Sequence, residues 1–238
     1  MFGIFDIRSY SYRESVRKSK VFRTTDGMHG NILFEGCNVG YESGLEKTFS
    51  LMMAIDPQVT GIFHQPMTFY YQVECVAKPL HYTPDYRVTR DLDRPWIWGD
   101  QIERLSVNGL FEVKPQEVLD KNTPLTEGAQ CSLFSKIRSD GEFDVRIFTD
   151  KSTSKVLTEN IKRVGNARPI LLDQHIAFEC LETVRRGSTL ELPKLIEKLF
   201  ERGVTPIPTI LSLMKSRRIA GQYHRADFLD LEALVLGD

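Results

Sequence analysis

Hydrophobic residues recur at helical spacing in the segment that runs from Ser43 to Pro57. Leu45, Phe49 and Met52 lie three or four positions apart, which is typical of one face of an amphipathic helix. Pro57 ends the pattern, because proline interrupts the hydrogen bonds of a helix. The segment therefore predicts a helix with one apolar face.

Other apolar runs are short, rich in β-branched and aromatic residues, and separated by polar turns. They predict strands at Thr68–Val73, Leu110–Lys114 and Phe143–Phe148. Strands that alternate with a few helices indicate an α/β fold, and this pattern holds for residues 1–160.

After about residue 160 the pattern becomes mainly helical. Proline near the start and glycine just past the end mark one helix, and a second helix and two short strands follow. The four segments are Leu192–Gly203, Thr209–Arg218, Ile219–Tyr223 and Leu231–Val235. This order of elements predicts a small winged-helix-like domain at residues 161–238.

Three basic residues in that region, Lys215, Arg217 and Arg218, lie where a winged helix contacts phosphates. The alternative is a small helical protein-docking domain in which these side chains are only solvated.

The candidate chemistry begins with Glu112 and Lys114. Successive side chains of a strand point to opposite faces, so these two share one face while Phe111 and Val113 share the other. Asp85 ends a second short strand-like run. Two carboxylates can hold magnesium, and a lysine beside them can orient water or neutralise charge on phosphate. The alternative is an ordinary ion pair on a solvent-facing strand.

Glu46 is the third acidic candidate, at the edge of the apolar stripe of the first predicted helix. From there its carboxylate can point into the same cleft as Asp85 and Glu112. Ser43 with Glu46 three residues later also fits a capping box, which needs no catalysis to explain it. The two interpretations are compatible.

The composition is that of an ordinary globular protein: 238 residues, 41% hydrophobic, 26% charged and a net charge of −1. Without a global positive field, attraction to DNA must come from local patches. The basic stretch from Arg13 to Arg23 is one candidate, and a solvated arm is the alternative.

Four cysteines, no pair of them spaced C-x-x-C, argue against zinc and favour reduced, mostly buried thiols in a cytoplasmic protein. The sequence has no signal peptide and no apolar run long enough to span a membrane. The histidines are expected to be structural. The long stretch 87–109, with Trp96 and Trp98, is expected to form an extended hairpin or loop beside the cleft.

Five short segments, in order, resemble TnsA, the endonuclease subunit of Tn-seven-like heteromeric transposons. The match extends, in order, over most of the first 165 residues. The segments are Ser43–Glu46 (S-x-L-E), Ile62–Pro66 (QP), Thr83–Tyr86 (T-x-D-F), Glu112–Pro115 ([QE]-[VI]-K-P) and Ile147–Lys151 with Glu159–Ile161 after it (F-T-D-K…E-N-I). Some members carry Gln at the position of Glu112, and Glu is the better ligand for a metal.

The resemblance implies a restriction-endonuclease-like catalytic domain with a mixed central sheet. It implies that Glu46, Asp85 and Glu112 bind a metal or position water, and that Lys114 is the catalytic lysine. Val113, between the last two, belongs to the implied metal site. The implied cofactor is Mg²⁺, with Mn²⁺ as a substitute.

The resemblance also implies the reaction and the partners. The protein would nick the 5′ strands at transposon ends in a bacterial cytoplasm, while a TnsB-like recombinase handles the 3′ strands. A TnsC-like AAA+ ATPase would bind the C-terminal domain. The two alternatives are a stand-alone nuclease of the same fold and a non-catalytic adaptor, against which the four retained candidate residues argue.

Overall fold

The computed structural model describes residues 4–12, 28–73, 78–94, 97–98, 102–121, 124–168, 178, 181, 190–201, 203, 206–220 and 232–235. These residues form two compact units. The first comprises Met1–Ser50, Val59–Asp91 and Arg104–Ser152, and the second comprises Leu51–Gln58, Leu92–Glu103 and Thr153–Asp238.

The predicted boundary at residue 160 differs from this division, since the second unit begins at Thr153 and also takes two earlier segments. Packing within that unit gives one reason. The backbone of Gly165 lies so close to Leu51 that a Cβ on Gly165 would stand 2.6 Å from Leu51 Cδ2. A boundary placed by sequence pattern alone does not register such a contact.

A mixed four-stranded sheet is central to the first unit. Its strands are β4 (Val59–His64), β7 (Tyr86–Arg90), β8 (Asn108–Val113) and β9 (Asp144–Phe148), in the order β4-β7-β8-β9. The first two pairings are antiparallel, and β8 pairs with β9 in parallel. The predicted α/β class with a mixed central sheet is confirmed.

The remaining strands of the first unit form two smaller sheets. One is antiparallel with the order β1-β5-β6, and the other is the hairpin β2-β3. Glu35 and Gly36 connect the hairpin with φ values of 47° and 82°, which a tight two-residue hairpin turn requires. The five strands are β1 (Ile4–Tyr12), β2 (Gly30–Phe34), β3 (Cys37–Tyr41), β5 (Met67–Val73) and β6 (Leu80–Tyr82).

The core of this unit forms where helix α3 (Pro124–Ser139) packs against β9. Helical spacing puts Leu133, Phe134 and Ile137 on one face. They are buried with residues from β5, β8 and β9: Met67, Phe69, Tyr71, Leu110 and Val145, together with Phe143. The short helix α2 (Gln116–Asp120) lies just after β8.

Helix α1 (Gly44–Ile55) is anchored to the central sheet by one fully buried ring. The Phe49 ring lies 5.0 Å from Tyr86 on β7, 4.8 Å from Phe111 on β8 and 5.2 Å from Phe148 on β9. Because Glu46 lies one turn before Phe49, this packing fixes the start of the helix beside β7.

Among its described residues, the second unit contains the helices α4, α5 and α6 and an antiparallel sheet of order β10-β12-β11. Its elements are α4 (Lys155–Gly165), β10 (Leu190–Glu191), α5 (Leu192–Glu201), α6 (Pro206–Lys215), β11 (Ile219–Ala220) and β12 (Glu232–Val235). Ser154 caps α4, since its side chain accepts a hydrogen bond from the Leu157 N–H.

Most predicted elements have nearly the bounds expected from the sequence, but one helix begins and ends earlier than predicted. Helix α6 was predicted from Thr209 but begins at Pro206 and ends at Lys215. Prolines at positions 206 and 208 suggested a turn, yet proline suits the first turn of a helix, where N–H groups have no intrahelical acceptor.

Candidate active site

Asp85 lies between β6 and β7, and backbone groups hold it on both sides. Its Oδ2 accepts a hydrogen bond of 2.8 Å from the Val113 N–H of β8. Its own carbonyl accepts a bond of 2.7 Å from the Gln65 N–H, and Gln65 has a positive φ of 45°. The predicted Gln65-Pro66 segment is therefore the turn that supports Asp85.

Glu112 lies on β8 and is only 3% exposed, although an isolated charge at such depth is costly. Its Oε1 forms an ion pair with Lys114 Nζ, so the predicted shared face is confirmed. Its Oε2 is also buried and forms no hydrogen bond with any described residue. Oε1 thus has a cationic partner, whereas Oε2 has no partner among the described residues.

Lys114 directly follows β8, and its backbone N–H donates a 3.0 Å bond to the Phe148 carbonyl of β9. That bond continues the parallel ladder for one residue and fixes where the side chain begins. The side chain itself is 40% exposed, so the ammonium group can reach a substrate while it pairs with Glu112.

Asp85 and Glu112 interact electrostatically across the β7–β8 pair. Burial, and after it the charge of Glu112, raise the pKa of Asp85 to about 7. The Val113 N–H and the Lys114 charge act in the opposite direction. Two carboxylates that resist joint ionisation are typical of sites that receive a cation or a proton.

Glu46 contributes to this electrostatic group and also caps helix α1. Its Oε1 accepts from Ser43 Oγ at 3.1 Å and its Oε2 from the Glu42 N–H at 2.8 Å, while its own N–H donates to Ser43 Oγ. Ser43 thus caps the helix as predicted, but the Glu46 carboxylate reaches back to the Glu42 N–H, one residue before the N-cap, so the capping box forms only in part. The charge of Glu46 still raises the pKa of Asp85, so the two carboxylates lie in one electrostatic environment.

The three carboxylates do not form a closed set of ligands. Among the described residues, no group of three or more His, Cys, Asp and Glu side chains is arranged to hold a metal ion. Both oxygens of Glu46 accept hydrogen bonds at the start of α1, and the charge of Glu112 acts on Asp85 more strongly than that of Glu46 does. The prediction that all three surround one cation is not met by the side chains in this conformation.

His64, which the sequence assigned a structural role, lies at the end of β4 beside this group. Its Nε2 is 3.8 Å from Glu46 Oε2, and its ring is 5.2 Å from that of Tyr86. Burial lowers the pKa of His64, which favours the neutral imidazole. The Tyr86 hydroxyl donates to the Gly40 carbonyl at 2.7 Å and contacts Glu46 Oε2 at 3.4 Å.

The three basic residues at the end of α6 differ in whether their side chains are already bonded within the second unit or are exposed. Lys215 Nζ donates a 2.7 Å bond to the Ala167 carbonyl, and burial lowers the pKa of this lysine. The Arg217 guanidinium reaches the Asp56 carbonyl at 3.5 Å, whereas Arg218 is exposed. Of the three predicted phosphate contacts, Lys215 is thus held by its own unit. The basic stretch 13–23 lies outside the described residues.

Part of the long stretch 87–109 is anchored by Trp98, which is 2% exposed. Its indole N–H donates a 3.0 Å bond to Asp56 Oδ2, while Asp56 Oδ1 accepts from the Gln58 N–H at 2.9 Å. Strand β7 covers the beginning of the stretch and β8 the end. Trp96 lies outside the described residues.

The two cysteines that the structure describes are more exposed than predicted. Cys37 and Cys131 are free and exposed rather than buried, because each lies on the outward face of its strand or helix. Cys75 and Cys180 lie outside the described residues, as do His175 and His224.

Among the helices that the structure describes, none is both long and apolar enough to cross a membrane.

Comparison with models of protein families finds no match to this chain, and a search of curated proteins finds no similar sequence. The resemblance to TnsA therefore depends on the five short sequence segments alone.

Proposed function

We propose that this protein is a metal-dependent DNA endonuclease of a TnsA-like transposition complex. One observation carries the proposal: half-buried Asp85 and buried Glu112 interact where β7 begins and β8 ends, on the two inner strands of the mixed sheet, with Lys114 beside them. A restriction-endonuclease-like domain would present an acidic pair and a lysine on adjacent strands in this way.

The residues fit a hard divalent cation. Glu112 Oε2 is a buried acceptor without a partner among the described residues, and burial and then the charge of Glu112 raise the pKa of Asp85. A cation would relieve both conditions, since carboxylate oxygen is the preferred ligand of Mg²⁺ and Mn²⁺. Asp85 and Glu112 would bind the cation. Val113, the next residue of β8, and Glu46 would lie beside it. The bound ion would lower the pKa of water and stabilise charge on phosphate.

The chain's own residues supply the remaining requirements for hydrolysis. Lys114 can hydrogen-bond the attacking water or a phosphate oxygen, because its ammonium group is partly exposed and held in place by Glu112. The Val113 N–H holds Asp85 in one orientation. In the reaction a water oxygen forms a bond to phosphorus as one ester P–O bond breaks.

Glu46 takes a supporting position in this proposal. Its hydrogen bonds at the start of α1 fix the position of the carboxylate, and its charge raises the pKa of Asp85. A carboxylate has about four acceptor positions, so the capping bonds do not exhaust those of Glu46.

The second unit would form the winged-helix-like part and bind the ATPase partner, with DNA contact secondary. Its two helices α5 and α6 followed by short strands support that assignment. The TnsB-like recombinase would process the 3′ strands at the same transposon ends, while this chain nicks the 5′ strands.

The test is Asp85→Ala in the assembled complex. We expect 5′ nicking to be lost while the ATPase partner still binds, and Asp140→Ala, which removes an exposed carboxylate paired with Lys136, should nick as the wild type does. Unchanged nicking by the Asp85 variant would reject the site. Cleavage of purified DNA by the chain alone would instead indicate a stand-alone nuclease.

A further inference from the structure

Tyr82 is a half-buried tyrosine whose buried hydroxyl the proposed reaction does not use. It ends β6, where it pairs with Phe69 of β5. Its ring stacks on that of Phe69 at 6.4 Å and lies 5.4 Å from that of Phe134 of α3. Packing from two sides gives the ring one position, and therefore gives the hydroxyl one direction.

The hydroxyl forms no hydrogen bond of good geometry with any residue in the described ranges, although it is fully buried. It lies near the acidic pair. Burial raises the pKa of Tyr82, and the charges of Glu112 and Asp85 raise it further, Glu112 more strongly.

The hydroxyl and the free oxygen of Glu112 are complementary. Tyr82 has a buried donor without an acceptor, and Glu112 Oε2 is a buried acceptor without a donor, again among described residues. The Tyr82 hydroxyl also lies within reach of a hydrogen-bond interaction with the Glu112 carboxylate. Buried polar atoms in native proteins nearly always have partners, so these two neighbouring atoms call for a common explanation.

We propose that Tyr82 is a positioning residue of the Asp85–Glu112 site and that its hydroxyl donates to Glu112 Oε2. Lys114 then pairs with one oxygen of the carboxylate and Tyr82 occupies one acceptor position of the other, so the group has a single orientation beside Asp85 and still has an acceptor position for a cation. The hydrogen bond itself follows from packing and burial. Its consequence for cation binding depends on the proposed function.

Tyr71 provides the contrast within the same cluster. It is 9% exposed and packs with the same core residues, and burial alone raises its pKa. Removal of its hydroxyl should therefore affect the core as Tyr82→Phe does, without affecting Glu112.

Denaturation of the full-length, metal-free protein tests the hydrogen bond. Tyr82→Phe should lower the urea midpoint, because a buried carboxylate loses its donor. In a Glu112→Met background the same substitution should leave the midpoint unchanged or raise it, because the hydroxyl has no acceptor there. Equal shifts in both backgrounds, or a higher midpoint for Tyr82→Phe alone, would overturn the proposal.

Calorimetric titration with Mn²⁺ tests the positioning role. Tyr82→Phe should weaken Mn²⁺ binding about tenfold, as is typical when a group that orients a ligand is lost, and Tyr71→Phe should not. Equal affinity in the wild type and Tyr82→Phe would overturn the positioning role. If Asp85→Asn bound Mn²⁺ as the wild type does, the proposed function would fail, while the denaturation cycle would still decide the hydrogen bond.

Discussion

At the scale of single residues, the acidic pair shows how position changes ionisation. The ordinary pKa of Asp85 is 3.8, and burial together with Glu112 raises it to about 7. The partly exposed Lys114 offsets some of this charge. The pair is therefore least favourable in the folded chain when both carboxylates are ionised and no cation is bound.

The first prediction concerns pH. Between about pH 4 and 7 the folded state holds a proton on Asp85 that the unfolded chain has released, so stability should fall as pH rises through this window. The loss amounts to about 1.4 kcal/mol for each unit by which the pKa is raised. Asp85→Asn should remove this dependence and be more stable than the wild type at pH 8 without metal.

Urea denaturation at a series of pH values in chelator measures the effect. Asp140→Asn serves as the control, because its carboxylate is exposed and should leave the pH dependence unchanged. A pH profile of Asp85→Asn that matched the wild type would contradict the assignment of the raised pKa to Asp85.

At the scale of elements, helix α1 combines a structural and a chemical role. Its capping box joins Ser43 and Glu46, and Phe49 one turn later fastens the helix to three strands. The same geometry that satisfies the first N–H groups of the helix thus brings a carboxylate toward Asp85.

The second prediction separates the two roles. Ser43→Ala removes the acceptor for the Glu46 N–H and should cost about 1 kcal/mol of stability while nicking is kept. Glu46→Gln can keep the capping box, since Gln also fits it, but removes the charge, so nicking should fall with little loss of stability. Thermal denaturation and nicking in the assembled complex are measured together. Parallel losses in both variants would mean that the cap is the sole role of Glu46.

At the scale of the whole molecule, the two units are not sequential blocks. The second unit takes Leu51–Gln58 and Leu92–Glu103 from the first half of the chain. Leu51, Met52, Met53 and Ile55 are all buried there.

The third prediction follows from that arrangement. A chain cut after Ser152 should be less soluble and unfold at a lower temperature, because Leu51 loses its contact with Gly165 and the other apolar residues lose cover. Light scattering and calorimetry of the fragment measure this. A fragment as stable as the full chain would contradict it. Point variants are therefore the better test of partner binding.

The fourth prediction compares two basic residues near the end of α6. Arg218→Glu should weaken DNA binding by the complex and reduce its salt dependence, because the exposed arginine is free to meet phosphate. Lys215→Met should mainly lower stability, because Lys215 donates to the Ala167 carbonyl. Filter binding at several salt concentrations separates them. Unchanged binding by Arg218→Glu would remove DNA contact from this surface.

The sequence by itself determined the features that depend on near neighbours. The span and capping box of α1, strands β5 and β9, and the shared face of Glu112 and Lys114 all follow from spacing along the chain. Periodicity and capping act over a few residues, so a sequence records them directly.

Only the tertiary structure decided which groups meet and how deeply they are buried. Glu112 proved almost fully buried, His64 came beside Glu46, and Tyr82 came beside the acidic pair, although the sequence assigned neither of the last two residues a role in the site. Burial and charge interactions depend on strands and helices that are distant in sequence and adjacent in space. For that reason the sequence could single out Asp85 and Glu112 as candidates. The raised pKa of Asp85, the burial of Glu112 and the identity of their neighbours depend on how the sheet packs.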